Sequence, residues 1–327
     1  MTNKTATIAA VVVTFNRKVL LIECLNALLA QTRPMDKIYL IDNASSDGTQ
    51  ALLEEQNLLN HPLIDYRLMT ENLGGAGGFY EGIKAAHEDG YDWIWVMDDD
   101  AEPWLDAAEK LEPYFTVPDT VAVCPIVKDA NNNELTIPHH GWFNSSDNIF
   151  MSSSITSNNF NENDALQIDK ATFVGLCIAS SVISIIGLPK REFFIHYDDT
   201  EFCSRINSIG QILLIKNSVI KHKEAAKTAT KIKYIFGIWR GREVTPHDKL
   251  WIKYFPYRNY IWLITHQNIS TIKMIMIYLL HFKKLIGVFI YEDNKSSRIK
   301  FWNAAFFDGI NGNFDNKKPY RILNKIY

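Results

Sequence analysis

The strongest constraint on the fold is an alternation that runs through the first hundred residues. Short apolar runs, each closed by polar residues, are followed by segments with apolar side chains at helical spacing. IAAVVVTFNR (Ile8–Arg17) reads as a buried strand leading into VLLIECLNALLAQT (Val19–Thr32), a helix. KIYLID ends a second strand at Asp42, and the Asn/Ser/Asp/Gly cluster behind it opens a helix over Gln50–Gln56. A shorter strand near Leu63–Met69 precedes ENLGGAGGFYEG, read as a Gly-rich turn running into a helix. The run YDWIWVMDDDAEP then forms a strand whose end carries three consecutive aspartates. Such β–α alternation predicts an α/β protein with a doubly wound, mainly parallel sheet. Ligands of these sheets sit at the carboxyl ends of the strands, which is where Asn16, Asp42, Asn72 and Asp98–Asp100 fall.

Further along, Asp129–Asn163 is rich in Asn and Ser and reads as a surface hairpin or loop. ATFVGLCIASSVISIIGLP restores a strand and short helix, EFFIHYDDTEF brings a second acidic cluster, and QILLIKNSVIKH reads as a closing strand ending at His222. The composition then changes. Residues 1–215 hold 13 basic and 30 acidic side chains, residues 216–327 hold 21 and 7, and the whole chain carries a net charge of −3. A boundary near residue 225 therefore separates an N-terminal domain, 1–225, from a 226–327 basic, aromatic-rich, mainly helical region. This asymmetry predicts an anionic partner for the C-terminal region. No recognisable nucleic-acid module is present, and the interleaving of Lys and Arg with Trp, Tyr, Ile and Leu favours a membrane surface over nucleic acid. Lys273, Lys283, Lys284, Arg298 and Lys300 are expected to meet headgroups, with Trp262, Ile275, Ile277, Leu279, Leu280 and Phe289 in apolar contact. The alternative is that these helices pack on the catalytic domain or on a second subunit. The stretch near Ile272–Ile290 is interrupted by His281, Lys283 and Lys284, so it is not expected to span a bilayer. Four scattered cysteines without C-x-x-C spacing fit a reducing compartment, and no signal peptide is recognisable, so a cytoplasmic protein is expected.

Three residue groups can carry chemistry. Three like charges at the end of an apolar strand call for a compensating cation, and hard oxygen ligands suit Mg²⁺ or Mn²⁺. Alternation along an extended chain lets Asp98 and Asp100 face one ion while Asp99 points elsewhere. The plain alternative is a solvated acidic turn. The glycines after Asn72 form no P-loop, because no Gly-Lys-Ser/Thr follows, yet they would let backbone N–H groups approach a pyrophosphate. Asp42 either caps the next helix or accepts hydrogen bonds from a base or ribose. Asp198, Asp199 and Glu201 either serve as a general base with its neighbours or favour a helix N-terminus. A lone His222 is more often structural than a ligand; its candidacy rests on the aspartates needing a third donor.

In this order, VVVTFNR, IDNASSDGT, ENLGGAGGFYEG, WIWVMDDDA, GLPKREFFIHYDDTEF and His222 resemble the successive motifs of family-2 glycosyltransferases with a GT-A fold. The likeness covers residues 8–225, and KYFPYRNY (Lys253–Tyr260) resembles an aromatic–Arg-Asn motif of the branch that includes bacterial galactofuranosyltransferases and rhamnosyltransferase-like enzymes. The resemblance implies a mixed GT-A sheet and an inverting transfer of a sugar from a nucleotide donor to a glycan hydroxyl in cell-surface polysaccharide assembly. UDP-galactofuranose is the expected donor, with dNDP-rhamnose or a non-catalytic nucleotide-sugar-binding protein as alternatives, and the acceptor is expected to be lipid-linked. It implies that Thr14, Asn16, Arg17, Asp42, Asn72, Gly74, Gly75 and Asp99 serve the nucleotide. Asp98, Asp100 and His222 would hold Mn²⁺ or Mg²⁺, Asp199 would be the base, and Asp198 and Glu201 would position donor or acceptor. The chain departs from its relatives at His196-Tyr197, where a tryptophan is frequent, which leaves sugar and acceptor open.

Overall fold

The computed structural model describes residues 5–136, 139–144, 149–160, 164–223, 231–235, 239–267 and 269–324. The first hundred residues form β1 (Ile8–Thr14), α1 (Lys18–Leu29), β2 (Lys37–Asp42), α2 (Thr49–Glu55), β3 (Ile64–Leu68), α3 (Gly74–Glu88) and β4 (Trp93–Asp98). There follow β5 (Ala101–Pro103), α4 (Ala107–Leu111), β6 (Thr120–Asp129), β7 (His140–Asn144), β8 (Ile149–Ser154), β9 (Ala165–Ile168), β10 (Lys170–Ala171), β11 (Cys177–Ala179), α5 (Ser180–Ile186), α6 (Asp198–Ile206) and β12 (Gln211–His222). A nine-stranded mixed sheet runs β3-β2-β1-β4-β11-β6-β12-β5, with β9 also paired to β12.

The strands read as continuous apolar runs because both faces of the sheet are covered. Alternate residues sort into two cores: Val11, Val13, Tyr39, Ile41, Ile94 and Val96 on the side of α3, and Ala10, Val12, Ile38, Leu40, Trp95 and Met97 on the side of α1. Helix α1 presents Leu21, Cys24, Leu25 and Leu28, spaced three and four apart, to the second core. The glycines after Asn72 lie within α3 itself, where a turn was expected. Their role is close packing: a Cβ on Gly82 would stand 2.3 Å from Val11 Cγ1, and one on Gly78 2.5 Å from Val13 Cγ1.

Strand β11 is antiparallel to both β4 and β6, and β12 is parallel to β6. β12 therefore runs with β1, β2 and β4, so their last residues, His222, Thr14, Asp42 and Asp98, lie along one edge of the sheet. Within the Asn/Ser-rich stretch read as a surface hairpin or loop, β7 and β8 pair with one another, and β10 joins them in a small sheet, β10-β7-β8. All four cysteines are buried and free.

By internal contacts the chain divides into two units, and the second takes in Glu192–Tyr197 as well as residues beyond 225. It contains β13 (Lys231–Ile235), β14 (Trp239–Val244), α7 (Tyr254–Thr265), α8 (Thr271–Tyr291), α9 (Lys295–Asn311) and α10 (Lys318–Ile322). Its core gathers Phe194, Tyr254, Phe255, Val288, Phe301, Trp302 and Ala305. Two expectations need correction. Helix α8 is long and apolar enough to cross a membrane by length and composition, with a mean hydropathy of 1.6. Two of its three polar interruptions are packed inward: His281 bonds Tyr257 and Asn303, and Lys284 Nζ lies 3.7 Å from the centre of the Trp302 ring, while Lys283 is exposed. Arg298, expected at headgroups, is 1% exposed and pairs with Glu292 and Asp293 at 3.0 and 2.8 Å; a buried guanidinium needs such partners.

His140 on β7 is buried, and that burial lowers its pKa to about 4, against a weaker opposing hydrogen bond at the Pro125 backbone. The folded state thus disfavours the proton that the unfolded chain takes up below about pH 6.5. This contribution to stability is fully present above pH 6.5 and is lost as pH falls toward 4, on the order of 3 kcal/mol at most. Urea unfolding of wild type and His140→Gln across pH 4–7 should show a shallower decline for the variant; parallel curves would contradict the assignment.

Candidate active site

Strand β4 delivers three carboxylates to the polar edge of the sheet, and each meets different surroundings. Asp99 Oδ2 accepts from Thr14 Oγ1 at 2.7 Å, and its Oδ1 lies 3.3 Å from Arg17 Nη1. Arg17 stands immediately before α1, and the same nitrogen donates to Asp100 Oδ2 at 2.7 Å. Asp100 Oδ1 is buried and 3.0 Å from His222 Nε2, but outside the angular range of a hydrogen bond. Asp98, Asp100 and His222 each bring a ligand atom to within 4.8 Å of the others.

The electrostatics follow from this division. Burial, then Asp100 and Asp99, push Asp98 well above the usual carboxylate range. Burial also raises Asp99, to about 6, although Thr14 and Arg17 oppose it. For Asp100 burial is outweighed by His222 and Arg17, and its pKa falls. One guanidinium does not neutralise three adjacent carboxylates, and the residual cost is concentrated on Asp98. Two carboxylates and an imidazole, with one buried carboxylate oxygen lacking an aligned donor, fit the donor set of a divalent cation. Edge-on to His222, with ring centres 4.9 Å apart, sits His139, whose Nδ1 bonds Thr172 at 2.7 Å.

The nucleotide-side residues are placed less uniformly. Asp42 accepts from the Ser45 N–H at 2.8 Å and from Tyr66 Oη at 2.9 Å. It does not cap α2, whose first turn is bonded instead by Asp47 through Thr49. Asn16, at φ 54°, accepts from the Ser46 N–H through Oδ1 at 2.7 Å, so it ties the β1 and β2 loops together. Asn72 Oδ1 accepts from the Gly74 N–H at 2.8 Å at the start of α3. A Cβ on Gly75 would meet nothing within 4 Å, so the backbone there is open to a ligand. Thr14 and Asp99 are occupied with one another. Tyr66 and Asn43 are polar members of this edge that the sequence reading missed; Asn43 Nδ2 donates to the Gly74 carbonyl at 3.1 Å. The only prior signal for either was its position in or beside a strand with an acidic end.

In the second acidic cluster, Asp198, Asp199 and Glu201 occupy the first turn of α6. Burial, then Asp199, hold Asp198 well above its ordinary pKa, and Asp98 adds to the effect. Asp199 Oδ1 accepts from the Thr200 hydroxyl at 3.0 Å and from the Thr200 N–H, with Oδ2 on its other side. Glu201 is not brought into this group: both its oxygens bond Arg205, at 2.9 and 2.7 Å, and Arg205 in turn holds the Leu188 carbonyl. Glu201 therefore secures the Gly187–Pro189 turn.

A galactofuranosyltransferase, GlfT1, of Mycolicibacterium smegmatis is 29% identical over 211 residues, covering 63% of this chain and 67% of that protein. Abequosyltransferase RfbV of Salmonella typhimurium is 28% identical over 194 residues, covering 57% of this chain and 54% of that protein. A crystal structure of GalNAc-T7 with UDP, GalNAc and Mn²⁺ matches in fold with a TM-score of 0.63 at 14% identity, over 98% of this chain and 59% of that one. The profile of glycosyl transferase family 2 matches residues 9–180, more than half of the chain, and the chain belongs to that family.

Proposed function

We propose that this protein is an inverting, metal-dependent glycosyltransferase that moves galactofuranose from UDP-galactofuranose to a hydroxyl of a glycan acceptor. The observation that carries the reading is the convergence of Asp98, Asp100 and His222 at the sheet edge, close enough to the first turn of α6 for Asp98 to act on Asp198. The named relatives that transfer galactofuranose and abequose support glycosyl transfer and favour the first sugar. Asp98, Asp100 and His222 would hold the cation, and the imidazole in the set favours Mn²⁺ over Mg²⁺. When bound, the cation offsets the charge of the diphosphate leaving group.

The remaining work falls to side chains. Asp42, Asn16 and Asn72 border the nucleotide, with the open backbone at Gly75 beside the diphosphate and Gly74 held behind it by Asn72 and Asn43. Asp199, through Oδ2, takes the proton of the acceptor hydroxyl. The freed oxygen attacks the anomeric carbon, and the bond from that carbon to the diphosphate oxygen breaks on the opposite face. Asp198, whose burial beside Asp199 raises its pKa, lies next to the base in the first turn of α6. The 1–225 part is the catalytic domain in this reading.

Asp199→Asn should lower transfer about 10²- to 10⁴-fold and leave UDP affinity unchanged; full activity of the folded variant would refute the base. Nucleotide release measured with UDP-galactofuranose, dTDP-rhamnose and other nucleotide sugars should single out the first. Release from none of them would favour a binding protein.

We also propose that α8 lies on an anionic membrane surface, at the inner face of the cell membrane, where a lipid-linked acceptor would be met. Ile275, Met276, Leu279, Leu280, Ile286 and Phe289 on this helix are each between 45% and 62% exposed. Its sequence contains three lysines and no acidic residue. A two-fold contact between copies through this face would oppose like charges, whereas each basic residue near an anionic bilayer contributes about 1 kcal/mol. The protein should float with anionic liposomes in a salt-sensitive manner, and Leu279→Glu with Ile286→Glu should abolish this. Failure of wild type to float, or unchanged flotation of the variant, would contradict it.

A further inference from the structure

The segment Glu192–Tyr197, immediately before α6, has backbone geometry that few residues adopt. Phe194, His196 and Tyr197 have φ angles of 66°, 67° and 67°, in the left-handed region that large L-residues avoid. Such conformations persist only where surrounding contacts impose them.

Those contacts come from two adjacent residues of α7. Asn259 is fully buried, and its Nδ2 donates to the carbonyls of Phe193, Ile195 and His196 at 2.9, 3.1 and 2.9 Å. One carboxamide thus holds three carbonyls of a four-residue stretch. Arg258, also fully buried, donates from Nη2 to the Glu192 and Phe193 carbonyls at 3.2 and 3.1 Å. Its Nε bonds Asn259 Oδ1 at 3.0 Å, which fixes the orientation of the carboxamide. Phe194 stacks on Phe255 with ring centres 4.6 Å apart, and Tyr197 lies 5.7 Å from Tyr260. Everything in this clamp belongs to the second unit, and the chain passes from Tyr197 by one peptide bond into Asp198 and Asp199.

We propose that Asn259, oriented by Arg258, is a positioning residue for the reaction: it holds residues 193–197 in their strained path and so sets where the first turn of α6 places the Asp199 carboxylate. The proposal rests on the reading of Asp199 as the base. A base must lie within hydrogen-bond reach of the acceptor hydroxyl, and a displacement of about 1 Å costs about a hundredfold in rate. The clamp therefore acts on the chemical step and not on nucleotide binding, which involves other strand ends.

The test compares Asn259→Ala and Asn259→Ser with Asp199→Asn and with Tyr254→Phe. The last is a control in the same helix, losing a buried hydrogen bond from Tyr254 to Asp308 while keeping its ring on Phe255 and every bond to residues 192–196. The Asn259 variants are expected to lower kcat for transfer from UDP-galactofuranose about 10- to 100-fold, with Ser less affected than Ala and donor KM unchanged. UDP affinity should be retained, and amide hydrogen exchange should quicken over residues 193–200. Tyr254→Phe should lose thermal stability and keep its kcat. Unchanged kcat in folded Asn259→Ala, alongside an inactive Asp199→Asn, would overturn the proposal. So would an equal loss of kcat in Tyr254→Phe. An active Asp199→Asn would instead overturn the base assignment, and the role of Asn259 with it. Should Asn259→Ala not fold, Asn259→Ser and Arg258→Lys give the same comparison.

Discussion

Three carboxylates on consecutive residues at the end of a buried strand repel one another, and the site is organised around that repulsion. Two unit charges 4 Å apart at an effective dielectric of 20 interact by about 4 kcal/mol, too much to leave uncompensated beside an apolar core. The chain separates the three. Asp99 turns to Thr14 and Arg17, Asp100 shares Arg17 and faces His222, and Asp98 carries the remaining cost. Each partner comes from the same sheet edge: Thr14 ends β1, Arg17 precedes α1, and His222 ends β12. Thr14 is brought near by the pairing of β1 with β4, and His222 by the pairing of β12 with β5, which sets it opposite Ala101, one residue beyond Asp100. Protein charge thus offsets only part of the acidic group, and in the proposed reading a cation would offset the rest.

Much of this was legible in the sequence. Apolar runs ending in Thr14, Asp42 and Asp98 fixed both the strands and the side of the sheet on which their ends would lie, because strand polarity is inherited from β–α alternation. The period of two suggested that Asp98 and Asp100 would face one point, and they do converge with His222, but β4 ends at Asp98, and Asp99 and Asp100 share Arg17 in the turn beyond it. Other features were illegible for physical reasons. The glycines of α3 suggest a turn by propensity, but close packing on Val11 and Val13 decides in favour of helix. Glu201 looked like one of three equivalent carboxylates until Arg205, four residues on, took both its oxygens. Arg298 counts as one more positive charge in a basic tail; only the fold shows it closed between Glu292 and Asp293. Helix α8 illustrates the same limit, since hydropathy averages over a helix while packing acts on one face of it.

The second unit has two features of opposite character. Its interior is dense with aromatic rings and buried polar bonds; those of Arg258 and Asn259 hold backbone carbonyls, and that of Tyr254 joins it to Asp308. Its helix α8 leaves a broad apolar face exposed, with Ile275, Leu279, Leu280 and Phe289 all more than half accessible. A buried clamp on a strained segment and an exposed apolar face are different investments, one in geometry and one in location. Both lie in the region whose charge balance departs most from the rest of the chain.

The most direct test of this account is Mn²⁺ binding. Titration of the protein with Mn²⁺ in the presence of UDP, followed by electron paramagnetic resonance, should show one bound ion per chain. Asp98→Asn, Asp100→Asn and His222→Gln should each abolish or severely weaken it while the fold is retained. Wild-type binding that persists undiminished in all three variants, or no binding by wild type, would contradict the assignment of Asp98, Asp100 and His222 as the cation site.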